Sequence, residues 1–233
     1  MTTIADRLAD AHQRIAQAAQ NSSRDSKDIQ LLAVSKTKPI SQIVAAYDAG
    51  QRLFGENYVQ EGEEKVKALR ESHGDIEWHF IGPLQSNKSK SIAEHFDWMH
   101  TLSREKIARR LSEQRPEELP PLQVCIQVNI SQEESKSGVS PEEIAPLADA
   151  ISALPKLTLR GLMAIPTATS DQSVQQAEFR QMQTLFKQLQ QSYPAIDTLS
   201  MGMSQDLELA IASGSTMVRI GSAIFGERDY AKA

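Results

Sequence analysis

The sequence predicts an α/β protein, a single (β/α)8 TIM barrel with an extra N-terminal helix, and three observations carry that prediction. From residue 29 onward, eight short apolar runs alternate with helix-patterned stretches, the order expected of parallel strands closed into a barrel. The 233 residues are near the usual length of such a barrel. No Gly-, Pro- or Ser-rich linker and no low-complexity tract divides the chain, so residues 1–233 are expected to form one domain.

Residues 1–22 open with Asp6, Arg7, Asp10 and Arg14 set among apolar positions, an amphipathic helix rather than a signal peptide, expected to pack on the barrel. The expected strands are 29–35, 53–56, 77–81, 98–102, 123–130, 157–164, 198–201 and 217–220. The expected helices between them are 40–49, 59–70, 87–95, 104–114, 141–153, 173–191 and 205–213. Residues 115–121, with three prolines, read as a loop on the bottom face. The 173–191 stretch puts Phe179, Met182, Leu185, Phe186 and Leu189 on one face, the pattern of a helix packed on the barrel. In 123–130 one face is Val124, Ile126, Val128 and Ile130, suited to the outer helices. The other is Gln123, Cys125, Gln127 and Asn129, suited to a polar interior. Arg219 alternates with Val218 and Ile220, so it too is expected to point inward.

A net charge of −5 gives no basic footprint for nucleic acid. No apolar run approaches the roughly 20 residues that span a bilayer, so no membrane association is expected. The single cysteine, Cys125, permits no intrachain disulfide and reads as a core residue, and a cytoplasmic location is the default expectation. His73, His95 and His100 show no metal spacing and read as structural or solvated, and His12 reads as surface. No metal is expected.

Barrels of this kind carry function at the C-terminal ends of their strands. The first strand ends at Lys36, where burial would favour a neutral amine able to form a Schiff base with an aldehyde. A lysine there can also simply mark where a strand reaches water. The seventh and eighth strands end in Ser200-Met201-Gly202-Met203-Ser204 and Arg219-Ile220-Gly221-Ser222. Each alone reads as a strand-to-helix turn with capping serines. Together, at the two strands that often hold a phosphate, they read as an anion site built from glycine backbone and serine hydroxyls. A phosphate site opposite an inward lysine describes pyridoxal 5′-phosphate (PLP), with the lysine holding the aldehyde and Arg219 near the pyridine nitrogen. A guanidinium there can only donate, which disfavours protonation of that nitrogen and makes the ring a weaker electron sink.

These segments, with Phe54-Gly55-Glu56-Asn57-Tyr58 and Trp78-His79-Phe80-Ile81-Gly82-Pro83-Leu84-Gln85-Ser86-Asn87-Lys88, resemble the pyridoxal phosphate homeostasis protein family over nearly the whole chain. The resemblance implies a barrel like the N-terminal domain of alanine racemase, with PLP at its mouth. It implies Lys36 as the Schiff-base lysine, Arg219 at the pyridine nitrogen, and Ser200, Gly221 and Ser222 on the phosphate. Gly202 would shape the turn, and Asn57, His79 and Met201 would line the pocket. It further implies a PLP-binding protein without turnover, acting in vitamin B6 homeostasis and in delivery of PLP to PLP-dependent apoenzymes. PLP and related B6 vitamers are the expected ligands.

The sequence ends at residue 233, soon after the eighth strand, leaving no room for the second domain that supplies a racemase its tyrosine and dimer interface. A monomer is therefore expected. The alternative function is a weak PLP-dependent amino-acid racemase, with Tyr58, His79 or Lys136 as second base. A further reading is a barrel enzyme in which Lys36 meets a sugar-phosphate aldehyde without PLP. Lys38, Lys88, Lys90 and Lys136 read equally as a cationic rim for phosphorylated vitamers, Lys136 foremost, or as surface lysines that need no function. Glu56 is expected to pair with a neighbouring lysine.

Overall fold

The protein, described by a computed structural model over residues 1–227, is organised by eight parallel strands that close in sequence order, β8 returning beside β1. The elements are α1 (Ile4–Asn21), β1 (Gln30–Val34), α2 (Ile40–Asp48), β2 (Leu53–Glu56), α3 (Val59–Leu69), β3 (Glu77–Phe80), α4 (Ser89–His95), β4 (Trp98–Leu102) and α5 (Glu105–Gln114). They continue with β5 (Leu122–Gln127), α6 (Ile144–Ser152), β6 (Leu157–Met163), α7 (Gln172–Ser192), β7 (Thr198–Ser200), α8 (Leu207–Ala212), β8 (Met217–Ile220) and α9 (Ser222–Phe225). Every expected strand is present. Single 3₁₀ turns at Ser86–Lys88 and Pro141–Glu143 lead into α4 and α6, so those helices begin later than the pattern suggests. The short α9 was not anticipated; four residues are too few to show a helical period.

Thr3 starts α1 through a reciprocal capping box with Asp6. The stripe Leu8, Ala11, Ile15, Ala18 and Ala19 is buried against α2, α8 and α9. Polar ties add specificity. Arg14 grips Glu208 of α8 through two bonds of 2.5 and 2.8 Å, and Arg7 Nε donates to the Ile224 carbonyl of α9 at 2.6 Å. The extra helix thus lies against the two helices that follow the strands of greatest interest. At the bottom, buried Arg115 donates to the carbonyls of Ala93, Phe96 and Pro120, fixing the 115–121 loop.

Alternation along the strands separates two environments. Val124, Ile126, Val128 and Ile130 join the apolar layer between sheet and helices. Inside the barrel lie two small apolar clusters, Leu32 with Ile81 and Met217, and Trp98 with Cys125 and Met163. His79, His100, Ser200 and Arg219 are buried as well, each at most 4% exposed. A register shift in the pairing of β5 with β6 passes over Arg160, whose guanidinium lies 4.6 Å from the Trp98 ring and forms a forked bond to Asp197.

Candidate functional site

A cavity of about 390 Å³ opens at the C-terminal mouth of the barrel, lined by Lys36 and Lys38 on one side and by Ser204, Gly221 and Ser222 on another, with Arg219 and Asn57 between. Lys36 is half-buried and sits in the turn just beyond β1, which ends at Val34 rather than at the lysine itself. The turn is tight: Thr37 takes a positive φ of 65°, unusual for a β-branched residue. It is held from α3. Glu61 accepts the Thr37 N–H at 2.6 Å, and Lys65 Nζ donates to the Ser35 carbonyl at 2.8 Å. Lys65 also pairs with Glu61 at 2.7 Å and with Glu56 at 2.5 Å, which supplies the lysine partner expected for Glu56. Ser35 Oγ donates to the same Glu56 oxygen at 3.2 Å. Glu56 is fully buried, and burial pushes its carboxyl up to about 7 even though Lys65 pulls the other way.

The opposite wall follows β7 and β8. Gly202 has φ +102°, and a Cβ there would lie 2.7 Å from the Ala210 Cβ, so glycine is required by both conformation and space. Its carbonyl accepts the Arg219 N–H at 2.9 Å, while the Asp206 carboxylate accepts the Met203 N–H at 2.7 Å and closes the loop. Asp206 is buried beside the cavity, and burial raises its pKa. Just beyond β3, Gly82 permits a close crossing with the chain leaving β2: a Cβ would come within 2.0 Å of the Asn57 carbonyl oxygen. This fixes Asn57, whose buried Oδ1 accepts no hydrogen bond among the described residues.

Arg219 forms part of the floor. One guanidinium nitrogen donates to Ser200 Oγ at 2.7 Å and to the Ser200 carbonyl at 3.0 Å; the other donates to the Ala164 carbonyl at 3.1 Å. Burial lowers its pKa to about 10, with Asp206 opposing, so it stays a cation near neutral pH. Below it, His100 Nδ1 lies 2.8 Å from Ser200 Oγ, His79 Nδ1 lies 2.8 Å from His100 Nε2, and His79 Nε2 lies 2.8 Å from Glu77.

Of the residues singled out in the sequence, Lys36, Asn57, Arg219, Gly221 and Ser222 line one cavity and Gly202 shapes its wall. His79, Ser200 and Met201 do not line it; all three are fully buried. Ser200 turns into the barrel, so its neighbour Met201 turns outward into the apolar layer. Ser204 and Asp206 belong to the site through the β7 loop, and Lys65 through the Lys36 turn. An adjoining chamber of about 250 Å³ shares Asn57, Ile81 and Ile165 and has Lys136 on its wall, donating to the Pro166 carbonyl at 3.2 Å. Among the described residues no helix is long and apolar enough to cross a membrane, and no group of three His, Cys, Asp or Glu could hold a metal.

Comparison with known proteins decides the family. A family model described as alanine racemase, N-terminal domain, matches residues 7–229. The pyridoxal phosphate homeostasis protein of Vibrio cholerae is 58% identical over 234 residues, covering 100% of this chain and 99% of its own. The chain belongs to the pyridoxal phosphate homeostasis protein family. PipY of Synechococcus elongatus, solved with PLP bound, superposes with a TM-score of 0.81 at 38% identity, covering 96% of this chain and all of its own. Alanine racemase from Corynebacterium glutamicum shares the fold, with a TM-score of 0.69 at 17% identity over 98% of this chain and 63% of its own.

Proposed function

We propose that this protein binds PLP in the mouth cavity as a Schiff base on Lys36 and serves intracellular PLP homeostasis and delivery without turnover. One observation carries the reading: Lys36, the Arg219 cation and the Ser204–Gly221–Ser222 wall share one cavity of about 390 Å³. The donor set fits the cofactor. Lys36 offers the amine for an aldehyde, Ser204, Ser222 and the Gly221 backbone offer donors to a phosphate, and the orphaned Asn57 Oδ1 offers an acceptor. PLP supplies, when bound, an aldehyde that captures amines and a ring that withdraws electrons. The roles of Ser200, His79 and Met201 are then to support the floor rather than to touch the ligand.

Residue chemistry favours holding over turnover. Arg219 can only donate, and its two carbonyl bonds and the Ser200 bond keep it a cation at the floor. Racemisation needs a base on each face of a carbanion. Tyr58 is half exposed on the rim, His79 has both ring nitrogens engaged, and Lys136 is bonded to Pro166 and paired with Glu133. None stands ready across from Lys36. The ligand class is PLP and related vitamers, with PLP-dependent apoenzymes as recipients and a cytoplasmic monomer as the working form. Residues 1–233 act as one barrel unit in this reading, its last six residues lying outside the described part.

Turnover is tested by incubating the PLP-loaded protein with amino acids in deuterium oxide. No α-proton exchange above background is expected. Exchange that disappears in Lys36→Ala would replace the carrier reading with that of a weak racemase.

A further inference from the structure

The interior of the barrel holds a single file of polar groups that the cavity alone does not require. It runs from Arg219 through Ser200, His100 and His79 to Glu77, with contacts of 2.7, 2.8, 2.8 and 2.8 Å. Its ends fix its direction. A guanidinium only donates and a carboxylate only accepts. Arg219 therefore donates to Ser200 Oγ, Ser200 O–H to His100 Nδ1, His100 Nε2–H to His79 Nδ1, and His79 Nε2–H to Glu77. Every hydrogen is accounted for when both imidazoles are neutral. Burial lowers the pKa of each ring, and Arg219 opposes charge on His100 further. Glu77, Asp97 and Arg160 face His79; Asp206 and Cys125 face Arg219. His79 is also clamped, stacked on Trp98 at 5.0 Å. Glu77 lies in a pocket at the opposite end of the barrel, partly open to solvent. The interior on either side of this file is apolar, so a polar file here is costly unless complete.

We propose that Glu77, His79 and His100 are positioning residues that act through Ser200 on Arg219, so that a carboxylate on the far face orients the cation presented to the cofactor cavity. The proposal rests on the reading of that cavity as a PLP site, and its test separates the two. In the cofactor-free protein near pH 7.5, ¹⁵N NMR should find both rings neutral and protonated at Nε2, and each should titrate below an ordinary histidine. Either ring protonated at Nδ1, or titrating like an ordinary histidine, would overturn the file whether or not PLP binds. With PLP added, Glu77→Leu should weaken binding about three- to tenfold and shift the visible absorption band, since it strands the His79 N–H. Glu77→Gln, which restores an acceptor oxygen, should recover both. Glu77→Leu binding PLP with wild-type affinity and spectrum would refute the positioning role. Wild-type protein that takes up no PLP while the rings behave as described would instead remove the cofactor reading and leave the file standing.

Discussion

Glu56 and Lys65 show how a buried pair can serve a neighbouring turn. Their contact holds Lys65 where it can grip the Ser35 carbonyl, and the carboxyl rises to about 7 from an ordinary 4.5 through burial. A folded protein that keeps this proton while the unfolded chain releases it loses stability as pH rises from about 4.5 to 7, by about 3–4 kcal/mol at most. Thermal melts across that window should therefore lose this downward component in Glu56→Gln; an unchanged pH profile would contradict the assignment. Such pairings were only partly legible. The sequence suggested that Glu56 finds a lysine, but not which one, because Lys65 reaches it from another element. Lys36 and Arg219 were legible because strand ends and alternation place them. The resemblance implies His79 as pocket lining, and the structure places its ring fully buried below Arg219; that depth depends on strand stagger, which the sequence of one strand does not encode.

At the scale of elements, α1 contributes through its buried stripe more than through its charges. Ile15→Ala should cost about 2–5 kcal/mol in urea unfolding, because Ile15 is 3% exposed in a packed layer. Arg14→Ala should cost under about 1 kcal/mol, since both members of its pair with Glu208 are well exposed. Comparable losses in the two variants would mean the helix is held by its surface pair. The β7 loop invites a sharper test. Gly202→Ala introduces both a positive-φ penalty and a clash with Ala210, so it should weaken PLP binding at least about tenfold by displacing the loop that carries Ser204 and Asp206. Helix and strand identities were legible from periodicity, whereas α9 and the late starts of α4 and α6 were not, since turns of three or four residues carry no period.

For the whole molecule, the barrel joins two faces of different chemistry through a polar interior. That interior also shapes acid stability. His79 and His100 have pKa values lowered by burial, so the unfolded chain binds protons that the folded one refuses. Stability from these two rings is present above about pH 6.5 and is lost as pH falls below it. Their slope is opposite to that of Glu56, so the change in melting temperature between about pH 6.5 and 5 should be less unfavourable to acidification in His100→Gln than in the wild type; identical profiles would contradict the burial of a neutral ring at this position. The closed eight-strand order was legible because each apolar run is short and each is followed by a helical pattern. The central claim, covalent capture of PLP by Lys36, is tested most directly by borohydride reduction of the PLP-loaded protein followed by peptide mass mapping. The account predicts a pyridoxyl-phosphate adduct on the peptide carrying Lys36 and none in Lys36→Ala; an adduct placed instead on Lys38, Lys65 or Lys136, or none at all, would contradict it.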